Sequence, residues 1–308
     1  MDTITHALTG TTLSTVLKKF DLHAGKWVLI ISSVIPDLDF VTRYWGMASY
    51  LNYHRGISHS FIGVAVSAVM LAAIFKVFFK KSPYPLLLLF GLIGGLIHIF
   101  MDLTNSYGTQ IFLPFSSHRY GFDWVMIVDP YIFGLLLFGL VFILLKKSYS
   151  SRIALASLLL IFIYIGFKAV LHQKAFSLVK KYSLDNEKKI KFGAYPYFIP
   201  LSPFKWLGVI ETKNTFLMGD IDLLKSREKF VRHEKIPETE VVKIAKNSRT
   251  AQIFLDFAKY PRLEVKKKDD KWEIVWYDLA FSYFDDKRFV CKIVLSEDNK
   301  ILSESFSY

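Results

Sequence analysis

The chain has 308 residues, a net charge of +12, 52% hydrophobic residues and a mean hydropathy of +0.31. Its single cysteine, Cys291, excludes an intramolecular disulfide and a cysteine-rich metal site. The apolar residues are concentrated in runs near 61–79, 85–101, 125–145 and 153–171. Because each run is about long enough to cross the hydrocarbon core of a bilayer, the composition predicts a polytopic membrane protein rather than a soluble one.

Charged residues divide the chain into two parts. Residues 1–171 hold 13 Lys and Arg and 7 Asp but no Glu, whereas residues 172–308 hold 26 Lys and Arg and 20 Asp and Glu. The first part is charge-poor and the second is charge-rich. We therefore predict a membrane-embedded helical domain at 1–171 and a soluble domain at 172–308.

The apolar runs and their flanks predict about six helical segments in the first domain. These segments are 4–19, 26–41, 58–80, 84–103, 124–145 and 152–171. The first two are short, since 14 helical residues reach only about 21 Å at about 1.5 Å per residue. We expect these two to form a hairpin that packs against the other segments without crossing the bilayer fully.

Basic residues predict the orientation of the helices. They are concentrated in three short loops, at Lys18–Lys26, Lys76–Lys81 and Lys146–Arg152. With alternating crossings these loops share one face, and the excess of positive charge in cytoplasmic loops assigns that face to the cytoplasm. The N-terminus and the domain at 172–308 are then expected outside the cytoplasm.

The C-terminal domain has the sequence pattern of an α+β fold. "RLEVKKKDDKWEIVWYDLAF" and "RFVCKIVLSEDNKILSESF" alternate between apolar and polar residues, with turn signals at 268–270 and 297–299. The stretch between Pro237 and Pro261 has helical periodicity. We predict a small antiparallel sheet with one or two helices.

Histidines and aspartates of the first domain fall toward one side of the membrane. Measured along each segment from the nearest basic loop, at about 1.5 Å per residue, His6, Asp37 and Asp39 lie about 17–20 Å away. His59, His98 and Asp102 lie about 26–32 Å away. A lone ionisable group in hydrocarbon costs several kcal/mol, so such groups pair, face water or bind ions. Imidazole and carboxylate are ligands of zinc and similar divalent metals, and convergence of these groups predicts a metal site.

The motif "HIFMD" is the sharpest part of this constellation. His98 and Asp102 stand at i and i+4, which places both side chains on one face of a helix. Gly94 and Gly95 precede them and allow close helix packing. The alternative for this motif is a polar pair that is hydrogen-bonded across helices.

Two further motifs contain aspartates. In "IPDLDF", Asp37 and Asp39 do not share a helix face, so one is expected to bind metal while the other forms hydrogen bonds or caps the next turn. The alternative is a capping cluster after Pro36. Asp129 is followed by Pro130, which predicts a helix N-cap with proline at the first helical position.

The motif "HRGISHSF" directly precedes an apolar run. Gly56 permits a bend that brings His54 and His59 to one site from its two sides, and Arg55 lies beside them. The alternative is a group of interfacial polar residues. His6, in "THALTG", is a weaker candidate that depends on the convergence of the other motifs.

Taken together and in order, "THALTG", "PDLD", "HRGISHS" and "HIFMDLTNSYGTQIFLPFS" resemble the metal-dependent hydrolases associated with the bacterial inner membrane, some of which are described as LexA-regulated. The order of ligands is also distantly similar to zinc-dependent phospholipases C and related nucleases. The resemblance covers roughly residues 1–135. It implies as metal ligands His6, Asp37 or Asp39, His54 or His59, His98 and Asp102, with Asp102 a candidate bridge between two metals.

The resemblance implies a hydrolase at the surface of the inner membrane, with one or two divalent ions, most simply zinc. A metal lowers the pKa of a bound water. The aspartate of 37 and 39 that does not bind metal is expected to act as general base, and Arg55 to hold a phosphate oxygen. A phosphoester of a lipid or lipid-linked compound fits this location, while amide and acyl-ester hydrolysis remain open.

Two other functions compete with hydrolysis. Intramembrane His and Asp also line the paths of divalent-metal transporters, and a metal can hold together a non-catalytic membrane scaffold or sensor. Against transport, the candidate groups gather at one side, and no ladder of such groups continues to the basic loops. The expected partners are membrane lipid and a lipid-like substrate, and no nucleic acid is expected.

Overall fold

The computed structural model describes residues 1–17, 23–184, 189–197, 202–225, 227–282 and 286–307. It divides the chain into two compact units. The first unit comprises Met1–Phe40 and His54–Val170, and the second comprises Val41–Tyr53 and Leu171–Tyr308. Val41–Tyr53 therefore precedes much of the first unit in sequence but packs with the second.

Nine α-helices occur in the described ranges. They are α1 Thr3–Val16, α2 His23–Ser32, α3 Met47–Tyr53, α4 Phe61–Phe78, α5 Tyr84–Leu103, α6 Pro130–Leu145, α7 Ser150–Leu184, α8 Glu240–Lys246 and α9 Arg249–Phe257. Three 3₁₀ helices of the described ranges lie in the connections of the first unit or extend from it: Ile35–Trp45, Ile57–His59 and Lys147–Tyr149. The first two of these carry three of the candidate site residues, Asp37, Asp39 and His59.

Among the described residues, three helical stretches are long and apolar enough to cross a membrane: Phe61–Phe78, Tyr84–Leu103 and Lys147–Tyr182. Helix α6 is apolar but shorter. Helices α1 and α2 have 14 and 10 residues, or about 21 and 15 Å, against a hydrocarbon core of about 30 Å. The predicted apolar helical region is confirmed, whereas a count of six membrane spans is not.

Three predicted helix boundaries differ clearly from the structure. The sixth segment, predicted to end at 171, continues as α7 to Leu184, and the other two differ for local reasons. The second predicted segment, 26–41, ends as an α-helix at Ser32, where Ser32 and Ser33 hydroxyls donate to carbonyls three residues back and Pro36 follows. The fifth segment begins at Pro130 rather than at 124, because Asp129 caps it by accepting the N–H groups of the first turn. The predicted N-cap role of Asp129 is confirmed.

Helix α5 packs very closely against α2 and α4. A Cβ atom at Gly94 would lie 2.6 Å from the Leu29 carbonyl oxygen, and one at Gly95 would lie 2.5 Å from Val64 Cγ1. Only glycine fits at such distances, so the predicted role of this pair is confirmed. The close approach fixes the next turn of α5, which carries His98 and Asp102, relative to the two neighbouring helices.

The second unit contains two antiparallel four-stranded sheets, each with its strands in sequential order. The first sheet comprises β1 Lys189–Pro196, β2 Lys205–Thr212, β3 Thr215–Asp222 and β4 Arg227–Glu234, and the second comprises β5 Pro261–Lys268, β6 Lys271–Asp278, β7 Val290–Leu295 and β8 Ile301–Ser307. One apolar cluster joins residues of both sheets, including Val209, Met218 and Tyr277. This is an α/β domain built on two sheets.

The structure refines the prediction for this unit. The predicted turns of the second sheet are present, with Asp269, Asp270 and Asn299 in the left-handed region. The predicted helix at 237–261 is two helices, α8 and α9, because Ser248 accepts the N–H of Ala251 and starts a new one. The first sheet was not predicted: β2 is buried along nearly its whole length, so its sequence lacks alternation.

Candidate metal centre

Four buried side chains of the first unit meet at one point. Asp37 comes from the 3₁₀ helix Ile35–Trp45, His59 from the 3₁₀ helix Ile57–His59, and His98 and Asp102 from consecutive turns of α5. Asp37 is 4% exposed and the other three are fully buried. Each residue offers one ligand atom, and these four atoms all lie within 4.8 Å of one another. We call these residues the four-ligand group.

The spacing of these atoms fits a single small cation. His59 Nε2 lies 3.4 Å from both Asp37 Oδ1 and Asp102 Oδ2. His98 Nε2 lies 3.5 Å from the same Asp37 oxygen and 3.4 Å from the same Asp102 oxygen. Four ligands at about 2.0–2.1 Å from a tetrahedral zinc ion would stand about 3.3–3.4 Å apart. The residues present therefore fit a divalent metal.

Hydrogen bonds outside the group fix the orientation of both imidazole rings. His98 Nδ1–H donates to the Ser33 carbonyl at 2.8 Å. His59 Nδ1 lies 3.0 Å from Ser58 Oγ and 3.2 Å from Asp39 Oδ2. In both rings this leaves Nε2 as the nitrogen whose lone pair faces the group. Such outer partners are the usual way in which proteins set the tautomer of a metal-binding histidine.

The four-ligand group contains buried polar atoms whose hydrogen-bonding capacity is not satisfied. Within the described part of the chain, His59 Nε2, His98 Nε2 and Asp102 Oδ2 are buried and have no hydrogen-bond partner. A buried polar atom without a partner costs about 1–3 kcal/mol, and more if it is charged. One cation bound to all three would remove that cost.

The net charge of the surrounding side chains also favours the binding of one divalent ion. Three buried or nearly buried carboxylates, Asp37, Asp39 and Asp102, lie around the site, and one guanidinium, that of Arg55, contacts Asp102. Burial acts to raise the pKa of Asp37 and Asp39, but the neighbouring imidazoles, that of His59 for Asp37 and those of His54 and His59 for Asp39, hold each pKa well below its usual range. Counting side chains alone, two negative charges remain for a cation to neutralise.

Asp39 lies outside the four-ligand group and supports it. Its Oδ1 accepts from His54 Nδ1 at 2.8 Å, and its Oδ2 accepts from the Arg55 N–H and the Ser58 hydroxyl at 3.0 Å each. The sequence left open whether Asp37 or Asp39 binds metal. The structure brings Asp37 into the group and places Asp39 behind His59.

The remaining predicted residues surround the group without joining it. Asp102 Oδ1 accepts from Arg55 Nη2 at 2.9 Å, lies 3.2 Å from His6 Nε2 and contacts the main-chain amine of Met1. His6 stacks on His98 with ring centroids 3.6 Å apart. The structure thus gathers His6 and Arg55 beside Asp102. Their predicted metal-binding and phosphate-binding roles stay predictions.

His54 stands at the edge of the constellation. Its ring meets the edge of His59 with centroids 5.7 Å apart, and 12% of its side chain is exposed. Burial lowers the pKa of His54 to about 4, so the ring is neutral at physiological pH. The four-ligand group does not include His54, and its predicted role as a metal ligand stays a prediction.

Sequence reasoning missed two residues that hold the site together. Ser33 provides the carbonyl that orients His98, and the buried Asn105 accepts from Arg55 Nη1 at 2.7 Å. A main-chain carbonyl leaves no trace in residue type. Asn105 follows "HIFMD" by three residues, and its position just after the helix was the only available signal.

The fold and the four-ligand group define a helical membrane protein with a buried candidate metal site and a C-terminal α/β domain. Residues 1–175 match the YdjM inner membrane protein family, and because this is more than half of the chain, the protein belongs to that family. Residues 240–308 match the YfhP C-terminal alpha/beta plait domain.

A relative is similar over nearly the full length. The uncharacterized protein YfhP of Bacillus subtilis (strain 168) is 26% identical over 319 residues, which cover 98% of this chain and 94% of the relative. No solved structure matches the chain.

Proposed function

We propose that the protein is a membrane-bound, metal-dependent hydrolase that acts at the membrane surface on a phosphoester of a lipid or lipid-linked compound. The observation that carries this proposal is the four-ligand group, whose buried donor atoms are spaced 3.4–3.5 Å apart across four of their pairs. We propose zinc as the ion, because two imidazoles with carboxylates suit zinc better than magnesium or calcium.

The placement of the group supports a substrate that is met at the bilayer. His59 lies just before the candidate span Phe61–Phe78, and His98 and Asp102 lie in the last turns of the candidate span Tyr84–Leu103. Large apolar side chains that alternate with the site residues are exposed, among them Leu38 at 56%, Phe40 at 52% and Ile57 at 54%. Exposed apolar surface of this kind marks contact with lipid or another partner.

The protein's own groups can be given roles around the reacting bond. A bound divalent cation supplies Lewis acidity and a water of lowered pKa. Both oxygens of Asp39 accept hydrogen bonds, so we propose His54, rather than an aspartate, as the general base. Its Nδ1–H donates to Asp39, so Nε2 is the atom that takes the proton of the attacking water. Asp39 holds this ring and His59 at once.

The proposal is tested by metal analysis of the purified protein together with a hydrolysis screen. We expect about one equivalent of zinc or a similar ion per chain, removed by a strong chelator with a fall in melting temperature. We also expect chelator-sensitive hydrolysis of a chromogenic phosphodiester or of a phospholipid in mixed micelles. Absence of bound metal, with stability indifferent to chelator and to added zinc, would overturn the proposal.

A second candidate function is a metal-stabilised scaffold without catalysis. The burial of all four ligands favours it, because structural metal sites are closed whereas catalytic sites keep a position for water or substrate. The same experiment separates the two functions. Bound metal with chelator-dependent stability, but without hydrolysis of phosphoesters, amides or acyl esters, would select the scaffold.

The orientation of the chain in the membrane is a further proposal. We propose that the loops at Lys76–Lys81 and Lys146–Arg152 are cytoplasmic and that the α/β domain is extracytoplasmic; Lys18 and Lys19 of the third basic loop lie outside the described residues. A reporter active only in the cytoplasm is expected to give a signal when fused at Tyr149 and none when fused at Tyr308. Equal signals from both fusions would contradict this topology.

A further inference from the structure

We infer that Arg55 is a built-in cation at the position where a second metal would bind, so that the centre holds one metal ion and no more. This inference rests on the metal site of the proposed function and adds its stoichiometry. It also gives Arg55 a positioning role toward Asp102 in place of a contact with substrate phosphate.

The two oxygens of Asp102 face different surroundings. Oδ2 belongs to the four-ligand group, at 3.4 Å from both His59 Nε2 and His98 Nε2. Oδ1 lies 3.2 Å from His6 Nε2 and accepts from Arg55 Nη2 at 2.9 Å. A carboxylate with a histidine nitrogen at ligand spacing on each oxygen has the arrangement of a bridge between two metals. On the Oδ1 side stand the guanidinium and the main-chain amine of Met1, and of the two the guanidinium carries a permanent charge.

The backbone holds Arg55 in this position at a conformational cost. Its φ is 57°, in the left-handed region that residues other than glycine seldom adopt. Asp39 accepts the Arg55 N–H at 3.0 Å, and the Arg55 carbonyl accepts from the Gln110 N–H at 3.0 Å. Strained backbone persists only where the surroundings determine it, and it is concentrated at functional sites.

Contacts on several sides also hold the guanidinium of Arg55 in place. Arg55 is 1% exposed, its Nη1 donates to Asn105 Oδ1 at 2.7 Å, and its Cζ lies 4.9 Å from the centre of the Tyr107 ring. An arginine side chain stays protonated in proteins, so this positive charge is permanent. It fixes Asp102 with Oδ2 turned to the four-ligand group.

Electrostatics then opposes a second metal ion. Asp37, Asp39 and Asp102 supply three negative side-chain charges, which one guanidinium and one divalent ion neutralise. A second divalent ion would add an uncompensated double charge in a buried site, beside a guanidinium that it would repel. Removing the guanidinium would leave His6 Nε2 and Asp102 Oδ1 facing each other at 3.2 Å beside the Met1 amine, as the start of a second ligand set.

The experiment is zinc titration of purified protein in detergent, with bound metal counted by elemental analysis after gel filtration. We expect about one equivalent for the native protein and about two for Arg55→Ala, with the second bound more weakly. The second equivalent is expected to disappear in the double variant Arg55→Ala/His6→Ala. Arg55→Lys keeps a cation and His6→Ala keeps the guanidinium, so both are expected to hold one.

Arg119→Ala is the matched control. Arg119 also lies near the Tyr107 ring, at 5.9 Å, but it donates to the His54 carbonyl rather than to Asp102. This variant is expected to hold one equivalent. Two equivalents in the native protein, or one in a folded Arg55→Ala protein, would overturn the inference alone. No metal in the native protein would overturn the proposed function with it. If Arg55→Ala does not fold, Arg55→Gln, which removes the charge but keeps part of the side chain, takes its place with the same expectation of two equivalents, and one equivalent in that variant would overturn the inference.

Discussion

Replacing Asp102 by asparagine is expected to release the metal ion and abolish hydrolysis. Asp102 supplies one oxygen to the four-ligand group and the other to Arg55, and both contacts need its negative charge. A neutral amide would leave the arginine buried beside an uncharged partner and remove one of the two carboxylates of the group. We expect metal content to fall from about one equivalent to near zero and turnover to fall at least about 10³-fold, since a catalytic metal supplies several kcal/mol.

Asp129→Asn is the control for this variant. Asp129 is also buried in the first unit, where its Oδ1 accepts the N–H groups of Tyr131 and Ile132 and its Oδ2 accepts the Tyr164 hydroxyl at 3.1 Å. Asparagine is an adequate helix cap, so the change is expected to lower the melting temperature while metal and turnover are retained. Metal loss in Asp129→Asn together with full metal and turnover in Asp102→Asn would mean that the wrong carboxylate has been assigned.

The sequence predicted those parts of the site that depend on one helix. His98 and Asp102 share a face of α5 through their i, i+4 spacing, and Gly94 and Gly95 bring that helix close to its neighbours. Such relations follow from helical geometry alone. The spacing of residues from the basic loops also indicated that several histidines and aspartates gather at one side, and the structure places them around Asp102.

For the motifs outside regular α-helices, the sequence could not show which of two candidate residues faces the four-ligand group. Whether Asp37 or Asp39 faces the group depends on the path of a 3₁₀ helix, which turns at a different rate from an α-helix. The same limit applies to His54 and His59, which flank a stretch that includes Arg55 in a left-handed conformation. Hydrogen bonds between segments that are distant in sequence determine which side chain of each motif faces the four-ligand group, and residue spacing does not reveal these bonds.

In the C-terminal unit, the alternation of apolar and polar residues predicted the second sheet but not the first. Strands β7 and β8 carry alternating patterns or exposed faces, whereas β2 is buried on both sides and is nearly continuously apolar. A short apolar run can be a buried strand or part of a helix, and periodicity does not separate the two. The break between α8 and α9 depends on the cap at Ser248, a single side chain within an otherwise helical pattern.

The two histidines of "HRGISH" are expected to respond differently to replacement by alanine. His59 is fully buried and directs Nε2 into the four-ligand group, so His59→Ala is expected to lose both the metal and turnover. His54 is partly exposed and lies outside the four-ligand group, so His54→Ala is expected to retain about one equivalent of metal. Its turnover is expected to fall about 10²- to 10⁴-fold, the usual contribution of a general base.

Metal content, melting temperature and turnover measured side by side for the two variants decide between the roles. Asp39→Ala extends the comparison, because Asp39 contacts both rings. Losing an outer partner of a metal-binding histidine usually costs about 10- to 100-fold in metal affinity, so this variant is expected to bind zinc more weakly than His54→Ala and to turn over no faster. If His54→Ala instead loses its metal as completely as His59→Ala, His54 is a ligand, as the sequence allowed, and the general base must be sought among the aspartates.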